Sequence, residues 1–72
     1  MMSIKNKFSI RLIELRELKG ISQNKLANEL GYTQPCIGKW EAGTRNPSLD
    51  DVLAVALFFN VTTDYLLGLT DL

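Results

Sequence analysis

Residues 22–41 read SQNKLANELGYTQPCIGKWE, and the spacing inside this stretch decides the fold. Ser22 stands just ahead of an apolar-periodic segment, where its hydroxyl can accept from the free N–H groups that open a helix. Leu26, Ala27 and Leu30 turn inward at helical spacing. Gly31 stops that helix and supplies the positive φ a tight turn needs. After Gly-Tyr-Thr, Thr33 caps a second helix with Pro35 in its tolerated first turn, and Gly43 ends it. Ala27, four residues before Gly31, is small enough to let the two helices cross closely, and Ile37 and Trp40 point back into the core.

The second of these helices is oddly built for a surface helix. It holds a proline, the small residues Cys36 and Gly38, one lysine, and no acid until Glu41. Glycine alone costs a helix about 1 kcal/mol against alanine. Two helices joined by a three-residue turn form the helix-turn-helix pattern, whose second helix is the one laid into the DNA major groove. A surface pressed between phosphate walls excludes carboxylates and requires side chains that reach base edges, so the bareness has a use.

Outward from this unit the punctuation stays helical. Phe8, Leu12 and Leu15 recur at i, i+4 and i+7 ahead of Gly20, which closes a first helix. Ser48 and Asp51 stand in capping-box spacing at the start of a fourth, with Leu49, Val52, Leu53, Ala56 and Phe59 as its expected core stripe and Asn60 as a left-handed stop. Thr62 caps a short fifth helix ended by Gly68. No stretch alternates convincingly as a strand. The spacing predicts an all-α fold of five short helices in one domain over 1–72, with its core at 8–68, a short arm at 1–7 and a tail at 69–72.

Seventy-two residues support one small core, and 46% hydrophobic with 22% charged residues is a globular composition. The longest apolar run, Val52 to Phe59, is far too short to span a membrane, and no signal peptide precedes it; the expected location is the cytoplasm. A chain ending at Leu72 is expected to carry no ligand-binding domain. The net charge is zero, yet it is unevenly laid out. Residues 1–20 carry five bases against Glu14 and Glu17, while residues 48–72 carry four aspartates and no base. A partner meets one surface at a time, so this basic front matters more than the sum.

Catalysis finds no foothold. The chain has no histidine, hence no Ser-His or Cys-His pair and no His/Cys zinc cluster. It has no phosphate-cradling glycine loop either. No cofactor, metal or enzymatic activity is expected. The single cysteine, Cys36, reads as a small inert hydrophobe rather than a redox sensor.

From Arg11 to Gly68 the chain resembles the lambda-repressor/Cro-like helix-turn-helix family, or XRE family, of bacterial and phage regulators. The matching pieces are RLIELRELKGISQNKLANELG, TQPCIGKWEAGTRNPS and VTTDYLLG. The resemblance implies a compact five-helix domain, usually dimeric, that regulates transcription by binding double-stranded DNA.

On the third helix the face opposite Ile37 and Trp40 shows Thr33, Gln34, Pro35, Gly38, Lys39 and Ala42. The first five are the candidate base readers. Gln34 can pair bidentately with adenine and Lys39 can donate to guanine, while Pro35 and the Thr33 methyl suit a thymine methyl. Candidate phosphate contacts are Gln23 in the first turn of the second helix, Asn24, Tyr32, and Thr44, Arg45 and Asn46 of the following loop. The resemblance implies an ion pair between Arg16 and Glu41, with a phosphate contact by Arg16 as a second role. Two departures stand out: Gly38 where the family often carries serine, and Pro35 where some relatives have a base-reading polar residue. Leu57 and Phe58, more often polar or small in the family, join Tyr65, Leu66, Leu67 and Leu69 as an expected homodimer interface, although Phe58 and Leu67 can equally thicken the monomer core. The function expected is a sequence-specific regulator, a repressor acting as a homodimer on a pseudo-palindromic operator. The alternative is a protein-interaction module, such as an antitoxin, whose main partner is a second protein (a toxin or co-regulator).

Overall fold

The structure, a computed structural model, describes residues 4–71, with side chains from residue 7 onward. Five helices follow one another: α1 Ile4–Lys19, α2 Gln23–Leu30, α3 Gln34–Ala42, α4 Leu49–Phe59 and α5 Thr63–Leu67. No strand occurs among the described residues. Local chemistry sets most boundaries. The Ser22, Thr33 and Thr62 side chains each accept from the backbone N–H three residues on. Ser48 and Asp51 close a reciprocal capping box, at 3.1 and 2.8 Å. Asn60 ends α4 in the left-handed region at φ 56°.

One boundary differs from expectation. α1 begins at Ile4, so residues 4–7 of the expected arm are helical, and residues 1–3 and 72 lie outside the described residues.

α2 packs chiefly on α3, α1 lies against α3 and α5, and α4 closes the bundle against α5 and α2. The core gathers Phe8 and Leu12 from α1, Leu26 and Ala27 from α2, Ile37 and Trp40 from α3, Val52, Val55 and Ala56 from α4, and Leu66 from α5. Trp40 sits at its centre, edge-on to Phe8 and Tyr32 with ring centroids 5.7 and 5.2 Å away. Cys36 is buried on the inner side of α3.

The expected stripe of α4 is corrected. Leu49 is 85% exposed and Leu53 49% exposed, while Val55 is fully buried in their stead. Residues 52–59 are apolar without interruption, so their pattern names no inward face, and docking on α5 and α2 selects the side carrying Val52, Val55 and Ala56.

Two glycines separate backbone strain from crowding. Gly31 and Gly68 both sit at left-handed φ, +79° and +81°. A Cβ at Gly31 would meet nothing within 4 Å, whereas one at Gly68 would lie 2.6 Å from the Lys7 Cγ. Gly31→Ala should therefore cost about 1–2 kcal/mol, the left-handed penalty alone. Gly68→Ala should cost clearly more, because Lys7 must also leave its place. Urea denaturation of the two variants side by side checks this, and equal losses would refute the packing contribution.

Candidate nucleic-acid interface

α3 presents Thr33, Gln34, Pro35, Lys39 and Ala42 to solvent, with Gly38 half-buried among them and Cys36, Ile37 and Trp40 on the inner side. The one acid of the helix is covered by its neighbours and not offered to solvent. Glu41 is paired with Arg16 at 2.6 and 3.1 Å, and its side chain is only 7% exposed. The bareness noted in the sequence is thus completed by the fold, which withdraws the remaining carboxylate.

The pair continues into a chain of polar contacts. The Glu41 carboxylate accepts from the Gln23 amide Nε2 at 2.9 Å, and the Gln23 carbonyl Oε1 accepts from the Gln34 Nε2 at 2.6 Å. The start of α2, the start of α3 and the end of α3 are tied into one unit. Gly38 lies under this chain: a Cβ there would sit 3.4 Å from Gln34 Nε2 and 3.5 Å from Gln23 Oε1. Of the loop residues, Thr44, Arg45 and Asn46 are all exposed. The Thr44 N–H donates to the Lys39 carbonyl at 3.0 Å and so fixes how the loop leaves α3.

Three expectations need correction. Arg16 uses each of its guanidinium nitrogens inside the fold, two on Glu41 and Nη1 on the Ile21 carbonyl at 2.8 Å. The bond to Glu41 raises its pKa above the ordinary value. It is a structural cation, and these bonds compete with the expected phosphate contact. The Tyr32 hydroxyl donates its proton to Asp51 at 2.7 Å, which pushes its pKa up to about 12. That proton is spent on joining the turn to α4 and is not offered to a phosphate. Burial alone would push the Asp51 carboxyl up, but the bonds from Tyr32 and Ser48 and the charge of Arg45 hold it below the usual carboxylate range.

The third correction concerns the expected dimer surface. Leu66 is 0% exposed and belongs to the monomer core. Phe58 and Leu67 are partly buried against that core, and Tyr65 is half-buried under the Arg11 guanidinium, 4.2 Å from its ring centroid. Of the residues expected there, Leu57 and Leu69 remain largely exposed. The structure adds Leu49 and Leu53, which with Leu57 form a stripe four residues apart along α4.

Arg11 is what the sequence reading missed. It is buried, donates to the Tyr65 and Thr70 carbonyls at 2.5 Å each, and pairs with Asp71 at 3.0 Å. One cation thereby fastens α5 and the tail to α1. The signal was available: position 11 lies on the same helical face as Phe8, Leu12 and Leu15, where a charge requires partners.

A helix-turn-helix family model matches residues 12–66. Among similar proteins, the HTH-type transcriptional regulator YobD of Bacillus subtilis is 36% identical over 61 residues, covering 85% of this chain and 54% of YobD. The HTH-type transcriptional activator BcrR of Enterococcus faecalis is also 36% identical over 61 residues, covering 85% of this chain and 30% of BcrR. This chain spans about half the length of YobD and less of BcrR. Among solved structures, the restriction-modification controller protein C.AhdI of Aeromonas hydrophila superposes with a TM-score of 0.78 at 39% identity, over 86% of this chain and 90% of that one. The hypothetical transcription factor NHTF of Neisseria shares the fold, with a TM-score of 0.84 at 23% identity over 90% of this chain and 75% of that one. With its five helices, its glycine turn and its matching residues, the chain belongs to the helix-turn-helix family of transcriptional regulators, of the lambda-repressor/Cro-like XRE type.

Proposed function

We propose that this protein binds double-stranded DNA in the cytoplasm as a homodimer on a pseudo-palindromic operator, laying α3 into the major groove and repressing transcription. The observation that carries the reading is the outer face of α3, which offers Thr33, Gln34, Pro35, Gly38 and Lys39 while its only carboxylate is covered by Arg16 and Gln23. Gln34 gives one N–H to Gln23 and keeps a second N–H and its Oε1, the set that adenine N7 and N6 require. Lys39 donates to guanine O6 or N7. Gly38 admits close approach, and Pro35 and the Thr33 methyl meet thymine. Gln23 and Asn24 at the start of α2, with Thr44, Arg45 and Asn46, hold phosphates. The protein acts by binding alone, without catalysis or cofactor. Among the described residues no acid, cysteine or histidine cluster is arranged to hold a metal, and no helix is long and apolar enough to cross a membrane.

Base and phosphate contacts separate by experiment. Gln34→Ala should lower affinity for the selected operator by about 1–3 kcal/mol and relax preference at one position per half-site. Arg45→Ala should weaken all duplexes alike and reduce the salt slope by about one unit. Selection from random duplexes defines the operator, and titrations at several salt concentrations compare the variants. If Gln34→Ala weakened operator and random DNA equally, its base-reading role would fall.

The α4 stripe supports the dimer. In an antiparallel pair of α4 helices, Leu53 packs on its own copy and Leu49 of one chain on Leu57 of the other, as two-fold contacts require. Paired half-sites then need the two α3 helices about 34–36 Å apart. Leu53→Glu should give a folded monomer at micromolar concentration in sedimentation, with weakened operator binding. The same apolar stripe supports a second reading, docking of a different protein such as a toxin. A wild-type chain that stays monomeric even on a two-half-site duplex would favour that reading.

A further inference from the structure

We infer that Glu41, whose carboxylate is covered by Arg16 and Gln23, decides which base Gln34 reads by fixing the orientation of two side-chain amides in series. The inference rests on the proposal that Gln34 contacts a base. A carboxylate can only accept hydrogen bonds. Arg16 holds Glu41 at the inner end of the chain, so Gln23 must turn its Nε2 toward Glu41, and that contact is 2.9 Å. The Gln23 Oε1 is then forced to face Gln34, and Gln34 must answer with its own Nε2, at 2.6 Å. What remains for the groove is one acceptor, Oε1, and one N–H donor. That pair matches adenine, which offers an N6 donor beside an N7 acceptor, and mismatches guanine, whose O6 and N7 both accept.

Gly38 leaves this relay uncontested. A Cβ at that position would reach both Gln34 Nε2 and Gln23 Oε1 at 3.4 and 3.5 Å. A hydroxyl-bearing side chain there could donate to one oxygen or accept from one nitrogen and so break the strict alternation. Glycine offers neither, and the polarity set at Glu41 passes to Gln34 intact. Glu41 is a positioning residue acting through Gln23.

The relay makes a directional prediction. In Glu41→Gln the new amide keeps its oxygen on the Arg16 Nε at 2.6 Å, and its nitrogen replaces the Oε1 that Gln23 Nε2 shares with Arg16 Nη2, the longer contact at 3.1 Å. Its N–H then points at Gln23, which flips to accept. The Gln23 Nε2 now faces Gln34, whose Oε1 accepts, and Gln34 presents both N–H groups to the groove. Two donors suit guanine.

The test is a double-mutant cycle read as base preference at the Gln34 position, with folding checked by circular dichroism. Glu41→Gln should shift the adenine-to-guanine preference ratio by about tenfold toward guanine. Gln23→Leu cuts the relay and should relax the preference, and in that background Glu41→Gln should add no further change. Uniform weakening by Glu41→Gln with the ratio unchanged would overturn the inference, as would a shift that persists beside Gln23→Leu. If Glu41→Gln does not fold, full adenine preference in Gln23→Leu alone overturns it. Gln34→Ala distinguishes the levels: loss of preference there with none in the relay variants sinks only the relay, and no loss there sinks the base contact itself.

Discussion

Leu66→Glu should abolish the folded state at 25 °C. Leu66 is completely buried and is the only fully buried residue of the five-residue α5. A carboxylate there must shed its hydration inside the apolar core without a partner, or unfold the chain to regain it. Such substitutions cost more than about 4–5 kcal/mol. A domain of this size holds little more than that in total stability. Far-ultraviolet circular dichroism and a urea titration would show lost helicity and no cooperative transition. Leu57→Glu is the control, because Leu57 is 72% exposed and its replacement should leave monomer stability within about 0.5 kcal/mol. A cooperative melt of Leu66→Glu close to that of the parent would mean that α5 does not dock as described.

Arg16→Met should be the most damaging single change at the polar end of the bundle, costing about 3–5 kcal/mol. The energy is not the worth of the ion pair itself. Removing the guanidinium leaves the Glu41 carboxylate, 7% exposed, with only the Gln23 amide as partner, and it also orphans the Ile21 carbonyl. Removing both charges avoids the stranded carboxylate, so Arg16→Met with Glu41→Leu should recover a good part of the loss. Urea denaturation of the two single variants and the double variant at neutral pH measures the coupling. Additive losses would show that the two residues act independently and that the pair is not what ties α1 to the end of α3.

The two variants mark where local and long-range information divide. Arg16 and Glu41 were paired from resemblance to a family pattern, while the placement of Leu66 at an interface followed from composition. Its apolar neighbours in the short fifth helix looked like more surface than a small chain can bury. The core proved able to take Leu66 and parts of Phe58 and Leu67, which left Leu57 and Leu69 outside. Tyr32 shows the same limit. It reads from sequence as a candidate phosphate contact, and only the approach of the α4 cap shows that its hydroxyl donates a hydrogen bond to Asp51.

By itself the sequence determined the five helices, nearly all their ends, and the turn between α2 and α3. These depend on contacts within a few residues: Ser22, Thr33, Ser48 and Thr62 capping N–H groups three residues ahead, and Gly31, Gly43, Asn60 and Gly68 supplying left-handed stops. It also determined the outward face of α3, because Ile37 and Trp40 leave only one side of a short helix for solvent. Tertiary structure alone decided which side of the unbroken apolar run in α4 is buried, since a segment without a polar face has no preferred inward direction until its neighbours dock. It alone decided that Arg11 clamps the tail, because the carbonyls and carboxylate it gathers lie 54–60 residues away. And it decided that Glu41, Gln23 and Gln34 form one chain, because side-chain hydrogen bonds over 11–18 residues exist only once the helices have crossed.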